Sequence, residues 1–247
     1  SDLPGVIINV QRGGPGLGSI QPAQSDYYQA THAMGHGDFH IFVFAPSSVQ
    51  EMVDMVTLAF DKADEYRMPA MILADGLLGQ MMEPVTFPEP LETLPDKSDW
   101  ATNGHQNKRA HHIINSLYLD PAELEAKVKE RFKRYAIVEE KETRAESYLC
   151  DDAEIVVTAY GASARVAKSA VNTARKAGIK AGLFRPITLW PFPKKELQAA
   201  TKSATHILDV EMSMGQMYGW QQNAAFRFRS LAEPAVSFRH QAKFWLN

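Results

Sequence analysis

Arg12, followed by Gly13, Gly14, Gly16 and Gly18, is the stretch whose residue types and spacing point most directly to chemistry. A guanidinium is planar, always charged and forked, so it meets a carboxylate or phosphate with two parallel hydrogen bonds. Glycines beside it carry no Cβ, reach positive φ freely and let the backbone approach a ligand. The stretch follows the apolar run Val6-Ile7-Ile8-Asn9-Val10 directly, which puts it at the carboxyl end of a strand. Its spacing fits neither Gly-x-Gly-x-x-Gly nor the phosphate loop that ends in Gly-Lys-Ser/Thr. A small molecule bearing a carboxylate is therefore the expected ligand. The plainer alternative is a tight glycine turn with Arg12 paired to a surface acid.

Other reactive side chains carry less. His105, His111 and His112 have no cysteine or acid at ligand spacing, so no metal is expected. The single cysteine, Cys150, excludes an internal disulfide framework and any all-cysteine cluster built by this chain alone, and argues for a reducing, cytoplasmic setting. A net charge of -3 offers no basic field for nucleic acid, and no run of about 18 apolar residues marks a membrane span. With 247 residues the chain can bury a sizeable core without staples. It starts Ser1-Asp2-Leu3-Pro4 close before a core strand, which reads as a piece of a longer protein.

The elements that must position these groups alternate between strand and helix, which predicts α/β architecture with a mostly parallel sheet. Strands are expected at 6–10, 40–44 and 70–73. Ser47 and Ser48 with Glu51 cap a helix whose face is Val49, Met52, Val53, Val56, Ala59 and Phe60. A shorter helix over 25–34 would turn its amides toward the glycine loop. Residues 83–90 are proline-rich and open a linker, and Asp120-Pro121 starts a helix faced by Leu124, Val128, Phe132 and Tyr135. A second α/β unit follows from 154: a strand at 155–160, a turn at Gly161, a helix over 163–177 closed by Gly178, and strands at 180–184 and 206–210. The ring-rich stretch 185–193 is expected as a core plug rather than an interface patch. At 211–217 a strand gives way to a helix, with methionines that pack.

Five stretches in order carry a family resemblance: Val10-Gln11-Arg12-Gly13-Gly14-Pro15-Gly16-Leu17-Gly18, Ala45-Pro46-Ser47-Ser48-Val49-Gln50-Glu51, Leu73-Ala74-Asp75-Gly76-Leu77-Leu78-Gly79-Gln80, Arg185-Pro186-Ile187-Thr188-Leu189-Trp190-Pro191-Phe192-Pro193 and Val210-Glu211-Met212-Ser213-Met214-Gly215-Gln216. Together they resemble the α subunit of thiamine-diphosphate-dependent 2-oxoacid:ferredoxin oxidoreductases, most closely the 2-oxoisovalerate type. The resemblance implies the later part of a pyrimidine-type thiamine-binding domain over 1–85, a linker with a helix over 86–150, and a transketolase-C-terminal-like α/β domain over 151–247. It implies oxidative decarboxylation of the 2-oxo acid to an acyl-coenzyme A, with electrons passing to ferredoxin.

On that resemblance Arg12 holds the substrate carboxylate, Gly13 and Gly14 allow close approach, Leu17 lines the side-chain pocket, and Gln21 hydrogen-bonds nearby. Asp75, at the end of a strand, would either face the cofactor or cap a helix. Thiamine diphosphate and Mg2+ would be shared with a β subunit holding the diphosphate, and iron–sulfur clusters would sit in partner subunits, among γ and a ferredoxin-like δ. The family's N-terminal portion, with its Tyr-Pro-Ile-Thr-Pro motif and cofactor-activating acid, is not in this sequence, so the chain alone is expected to be inactive. Where 2-oxoglutarate relatives have a Ser-Thr pair in the glycine loop, this chain has Gly16-Leu17, which favours an aliphatic side chain over a second carboxylate. A 2-oxoglutarate enzyme, a transketolase or E1-type thiamine enzyme, and a non-catalytic assembly domain remain as other readings.

Overall fold

Two mostly parallel sheets organise the computed structural model, which describes residues 2–89 and 95–219. The first sheet runs in the order β1 (Gly5–Gln11), β3 (Pro69–Asp75), β2 (Phe42–Phe44) and β7 (Thr188–Trp190). In it β1 and β2 pair parallel to β3, while β7 runs antiparallel to β2. The second sheet runs β4 (Ala145–Tyr148), β6 (Ala181–Pro186), β5 (Ile155–Thr158) and β8 (His206–Asp209), with β5 parallel to both its neighbours and β4 antiparallel. The helices are α1 (Tyr27–Thr31), α2 (Val49–Tyr66), α3 (Gly76–Gly79), α4 (Pro121–Lys141), α5 (Gly161–Lys176) and α6 (Lys194–Ala200). The expected α/β class is thus the one formed. Among the described residues no helix is long and apolar enough to cross a membrane.

Local chemistry explains most of these elements. β3 is a continuous apolar run because a central parallel strand is covered on both faces, and Ala70 through Asp75 are all buried. α2 starts where the Ser48 hydroxyl accepts from Glu51 N (3.1 Å) and the Glu51 carboxylate accepts in return from Ser47 N (2.7 Å). It stops at Arg67, whose φ of 47 is left-handed. Its buried stripe is Met55, Ala59 and Ala63, and Phe60 points outward at 55 % exposure. The face expected through Phe60 is rotated because alanines four residues apart let the helix lie close on the sheet. Likewise α4 buries Tyr135 and Val138, while Leu124 and Phe132 remain exposed.

Three elements depart from the sequence pattern. The helix expected over 25–34 is only α1, because Ala33 and Met34 take positive φ and break it. β1 is an edge strand rather than a core strand, with Ile8 and Val10 exposed. The polar strand β4 carries no readable alternation and is held by pairing with β6. The ring-rich segment is a core plug of an unforeseen kind: the chain leaves the second sheet at Pro186 and joins the first as β7. There Trp190 is buried and stacks on His40 with centroids 4.6 Å apart. Of the expected linker and last domain, residues 90–94 and 220–247 lie outside the described residues.

Candidate functional site

The carboxyl ends of β1 and β3 lie side by side, with Gln11 opposite Asp75. Beyond Gln11 the chain forms a closed loop. Gly13 N donates to Gln21 O (2.8 Å), Ser19 N donates to Gly13 O (2.7 Å), and Arg12 bridges Pro22. The Arg12 guanidinium sits inside this loop. Its Nη1 donates to Gly13 O (3.0 Å) and Leu17 O (2.7 Å), and its Nη2 donates to Gly16 O (2.9 Å). Only glycine serves at position 18: φ is +47, and a Cβ would lie 1.9 Å from Gly13 O and 2.7 Å from Arg12 Nη1.

A guanidinium carries five N–H donors, and these contacts use three. The Nε–H and one Nη2–H are left. Among the described residues no carboxylate pairs with Arg12, and its side chain is exposed. In the same loop Leu17 is 97 % exposed and Ile20 86 %, and Ile8 and Val10 are exposed on β1, which leads into it. Arg12, Gly13, Gly14, Leu17 and Gln21 therefore share one loop.

Asp75 is committed elsewhere. Its Oδ1 accepts from Leu77 N (3.0 Å) and Leu78 N (3.1 Å), capping α3, and its Oδ2 accepts from Ala162 N (3.1 Å) at the start of α5. The capping reading is the one this geometry satisfies, and it is unusual in serving two helices at once. Two amides at the start of α1 are likewise taken. Asp26 N donates to Gln11 Oε1 (3.0 Å), and Tyr28 N donates to Gln216 Oε1 (2.9 Å).

Beneath the loop, a buried polar seam joins the two α/β units. Its members Gln24, Tyr160 and Ser163 carry no local signal in the sequence, because their partners lie 136 to 188 residues away. Burial, reinforced by the nearby Glu211 charge, pushes the Tyr160 hydroxyl well above the usual tyrosine range, so it stays a donor. It donates to Gln24 O (3.1 Å). Glu211 accepts from the Ser213 hydroxyl and from Met217 N (3.2 Å), which fixes the turn that follows β8. A separate groove of about 710 Å³, lined by Tyr28, His32, Phe39, His40 and Phe132 among others, holds none of the loop residues.

The donor set defines which ligand would fit. Uncommitted guanidinium N–H groups in a loop with exposed aliphatic side chains suit a carboxylate with an apolar tail. They do not suit a metal-bound diphosphate: among the described residues no three His, Cys, Asp or Glu side chains cluster, and Asp75 already takes amides from two helix starts.

Comparison with known proteins follows the same lines. Residues 1–149 match the family "pyruvate flavodoxin/ferredoxin oxidoreductase, thiamine diP-binding", and residues 153–229 match "pyruvate:ferredoxin oxidoreductase core domain II". The chain is 50 % identical over 218 residues to the ketoisovalerate oxidoreductase subunit VorB of Methanothermobacter marburgensis, covering 88 % of this chain and 61 % of that subunit. It is 32 % identical over 255 residues to the 2-oxoglutarate synthase subunit KorA of the same organism, covering 91 % and 67 %. The chain thus spans about three fifths of the length of VorB. Among solved structures, 2-oxoglutarate:ferredoxin oxidoreductase from Magnetococcus marinus, with 2-oxoglutarate, coenzyme A and succinyl-CoA bound, shares the fold. Its TM-score is 0.75 at 22 % identity, over 91 % of this chain and 44 % of that one.

Proposed function

Because the chain belongs to the pyruvate flavodoxin/ferredoxin oxidoreductase family by its thiamine-diphosphate-binding domain, we propose that it forms part of the α subunit of a branched-chain 2-oxoacid:ferredoxin oxidoreductase. The overall reaction converts a 2-oxo acid and coenzyme A into an acyl-coenzyme A and carbon dioxide, releases one proton, and passes two electrons to ferredoxin. The observation that carries this reading is the Arg12 guanidinium: an exposed cation with two N–H groups uncommitted and no carboxylate partner among the described residues.

Arg12 binds the C1 carboxylate of the substrate through those two groups. Its other three donors are bonded to the loop, so the guanidinium plane is set before the substrate arrives and little orientational entropy remains to be lost. Gly13 and Gly14 present backbone without side chains beside the bound acid. Leu17 packs on its branched aliphatic end, where a second carboxylate would find no partner, and the Gln21 amide hydrogen-bonds nearby. Thiamine diphosphate, when bound, supplies the nucleophile and electron sink for decarboxylation.

The diphosphate and its Mg2+ are assigned to a β subunit, since the described residues offer no acidic cluster for the ion. The iron–sulfur clusters are assigned to γ or ferredoxin-like δ partners, since Cys150 is the chain's one cysteine and cannot ligate a four-cysteine cluster alone. The assembly acts in the cytoplasm, and this chain by itself turns over no substrate.

The test is coenzyme-A-dependent dye reduction by the assembled complex of the full-length subunit with thiamine diphosphate, offered 2-oxoisovalerate, pyruvate and 2-oxoglutarate. Preference for 2-oxoisovalerate is the expected result. Preference for 2-oxoglutarate removes the role given to Leu17, and turnover of none of the three removes the family activity.

A further inference from the structure

We propose that Gln24 is the positioning residue of the Arg12 loop, and that it works by tying the outgoing stem of that loop to the second α/β unit. The inference rests on the reading of Arg12 as the carboxylate ligand and adds what holds that ligand in place. The loop's two stems are fixed very differently. The incoming stem is β1, set in its ladder against β3. The outgoing stem has no ladder: Pro22 meets Arg12 in a single bridge, and after it comes Gln24, fully buried.

Five hydrogen bonds hold Gln24, and all cross to the second unit. Its backbone N donates to Met212 O (2.8 Å), and its backbone O accepts from the Tyr160 hydroxyl (3.1 Å). Its Nε2 donates to Tyr160 O (2.9 Å), and its Oε1 accepts from the Ser163 hydroxyl (2.8 Å) and from Met212 N (3.0 Å). Both sides of the amide are therefore used, in a place water does not reach. A buried polar group bonded this completely specifies one arrangement and resists others, which an apolar side chain of the same volume would not do. The surroundings are shaped to it: a Cβ on Gly161 would lie 2.9 Å from Gln24 Nε2, and Gly161 has a φ of +58.

The consequence is a division of labour. The loop's own carbonyls set the guanidinium plane, and Gln24 sets where the loop sits. The second unit contributes Met212, Tyr160 and Ser163 without touching the substrate. Loss of the amide lets the outgoing stem shift, and Arg12 shifts with it through Pro22 and the Gln21 carbonyl.

The experiment uses the assembled complex of the full-length subunit with Gln24→Met, Ser163→Ala, Arg12→Lys and Arg185→Lys. Readouts are KM for 2-oxoisovalerate, the inhibition constant of 2-hydroxyisovalerate (a carboxylate with a hydroxyl in place of the oxo group), KM for coenzyme A, and Tm. Gln24→Met is expected to raise both carboxylate constants on the order of tenfold, with the coenzyme A constant unchanged. Ser163→Ala, which removes one bond, moves the carboxylate constants the same way by less, and reports on its own if Gln24→Met fails to assemble. Arg185→Lys weakens a contact between the units away from the loop, so it lowers Tm without moving either carboxylate constant. Unchanged carboxylate constants in Gln24→Met and Ser163→Ala, beside a rise in Arg12→Lys, overturn the role of Gln24 alone. Unchanged constants in Arg12→Lys overturn the reading of Arg12 and this inference with it.

Discussion

Arg12 and Arg185 both stand at the carboxyl side of strands in parallel sheets, and their surroundings are opposite. Arg185, in β6, has a side chain 6 % exposed. It donates from Nε to Glu146 (2.9 Å), from Nη1 to the Ser47 hydroxyl (2.9 Å) and Glu51 (2.8 Å), and from Nη2 to Glu51 again (2.8 Å). Burial opposes ionisation of Glu51, but the Arg185 fork and the Ser47 donors outweigh it and hold its carboxyl below the usual range. Arg12 lies exposed and bonds only neutral carbonyls of its own loop. A cation between two carboxylates has its charge neutralised and serves cohesion, whereas one held by neutral carbonyls keeps its charge for an incoming anion. The helix starts repeat the lesson: α5, at the second sheet's carboxyl edge, has the amide of its second residue, Ala162, closed by Asp75. Position at a sheet edge makes a residue a candidate; what its donors already hold decides whether it is a site.

The largest effect that sharpens this contrast is expected from Arg185→Met. It leaves Glu51 and Glu146 without their shared cation and costs about 3 kcal/mol. For a chain of this size that is roughly 6–12 °C in Tm by thermal unfolding, with KM for the 2-oxo acid unchanged. A KM change would show that Arg185 is not merely cohesive.

The same pair sets a pH dependence. For Glu146 burial also opposes ionisation, and Lys168 and Arg185 outweigh it, so both native carboxyls titrate below the ordinary glutamate value of 4.5. The unfolded chain then binds more protons in that range, so stability rises with pH. The contribution is complete above about pH 4.5 and is lost as pH falls through the lower native values. Urea midpoints between pH 3 and 6 should show that slope in the parent and a flatter one in Arg185→Met.

Next comes Asp75→Ala, which strips the carboxylate from three amides at two helix starts and costs about 2 kcal/mol. Titration of thiamine diphosphate into the assembled variant should give an unchanged affinity. A weakened affinity would return Asp75 to the cofactor and blur the contrast between closed and open edges. The smallest effect belongs to Leu17→Thr. At 97 % exposure Leu17 supports no core, so Tm should stay put while the preference for 2-oxoisovalerate over 2-oxoglutarate drops roughly three- to tenfold, the scale of a few methyl contacts. Identical selectivity would take Leu17 out of the pocket.

How much of this was legible in the sequence follows from the range of the interactions involved. The alternation of elements, the Ser48–Glu51 cap and the Asp120-Pro121 start are local, and all three are readable from neighbouring residues. The Arg12 glycine loop is local too, since its bonds join residues within about ten positions. β4 was not legible because Ala145-Glu146-Ser147-Tyr148 shows no period, nor was the passage of the chain into β7, since pairing with β2 lies far away in the sequence. Gln24 reads as an ordinary polar residue until Tyr160, Ser163 and Met212 are folded against it. Asp75 could be read two ways from the sequence, and its bonds from Leu77 N, Leu78 N and the distant Ala162 N are those of a cap.

The central claim, that Arg12 keeps its charge and its uncommitted donors for a substrate carboxylate, is tested most directly by KM for 2-oxoisovalerate in the assembled complex carrying Arg12→Lys. A point charge cannot reproduce the fork, so KM should rise roughly 10- to 100-fold, with kcat changed far less. Unchanged KM and kcat would contradict the account and leave the loop as a turn folded around its own arginine.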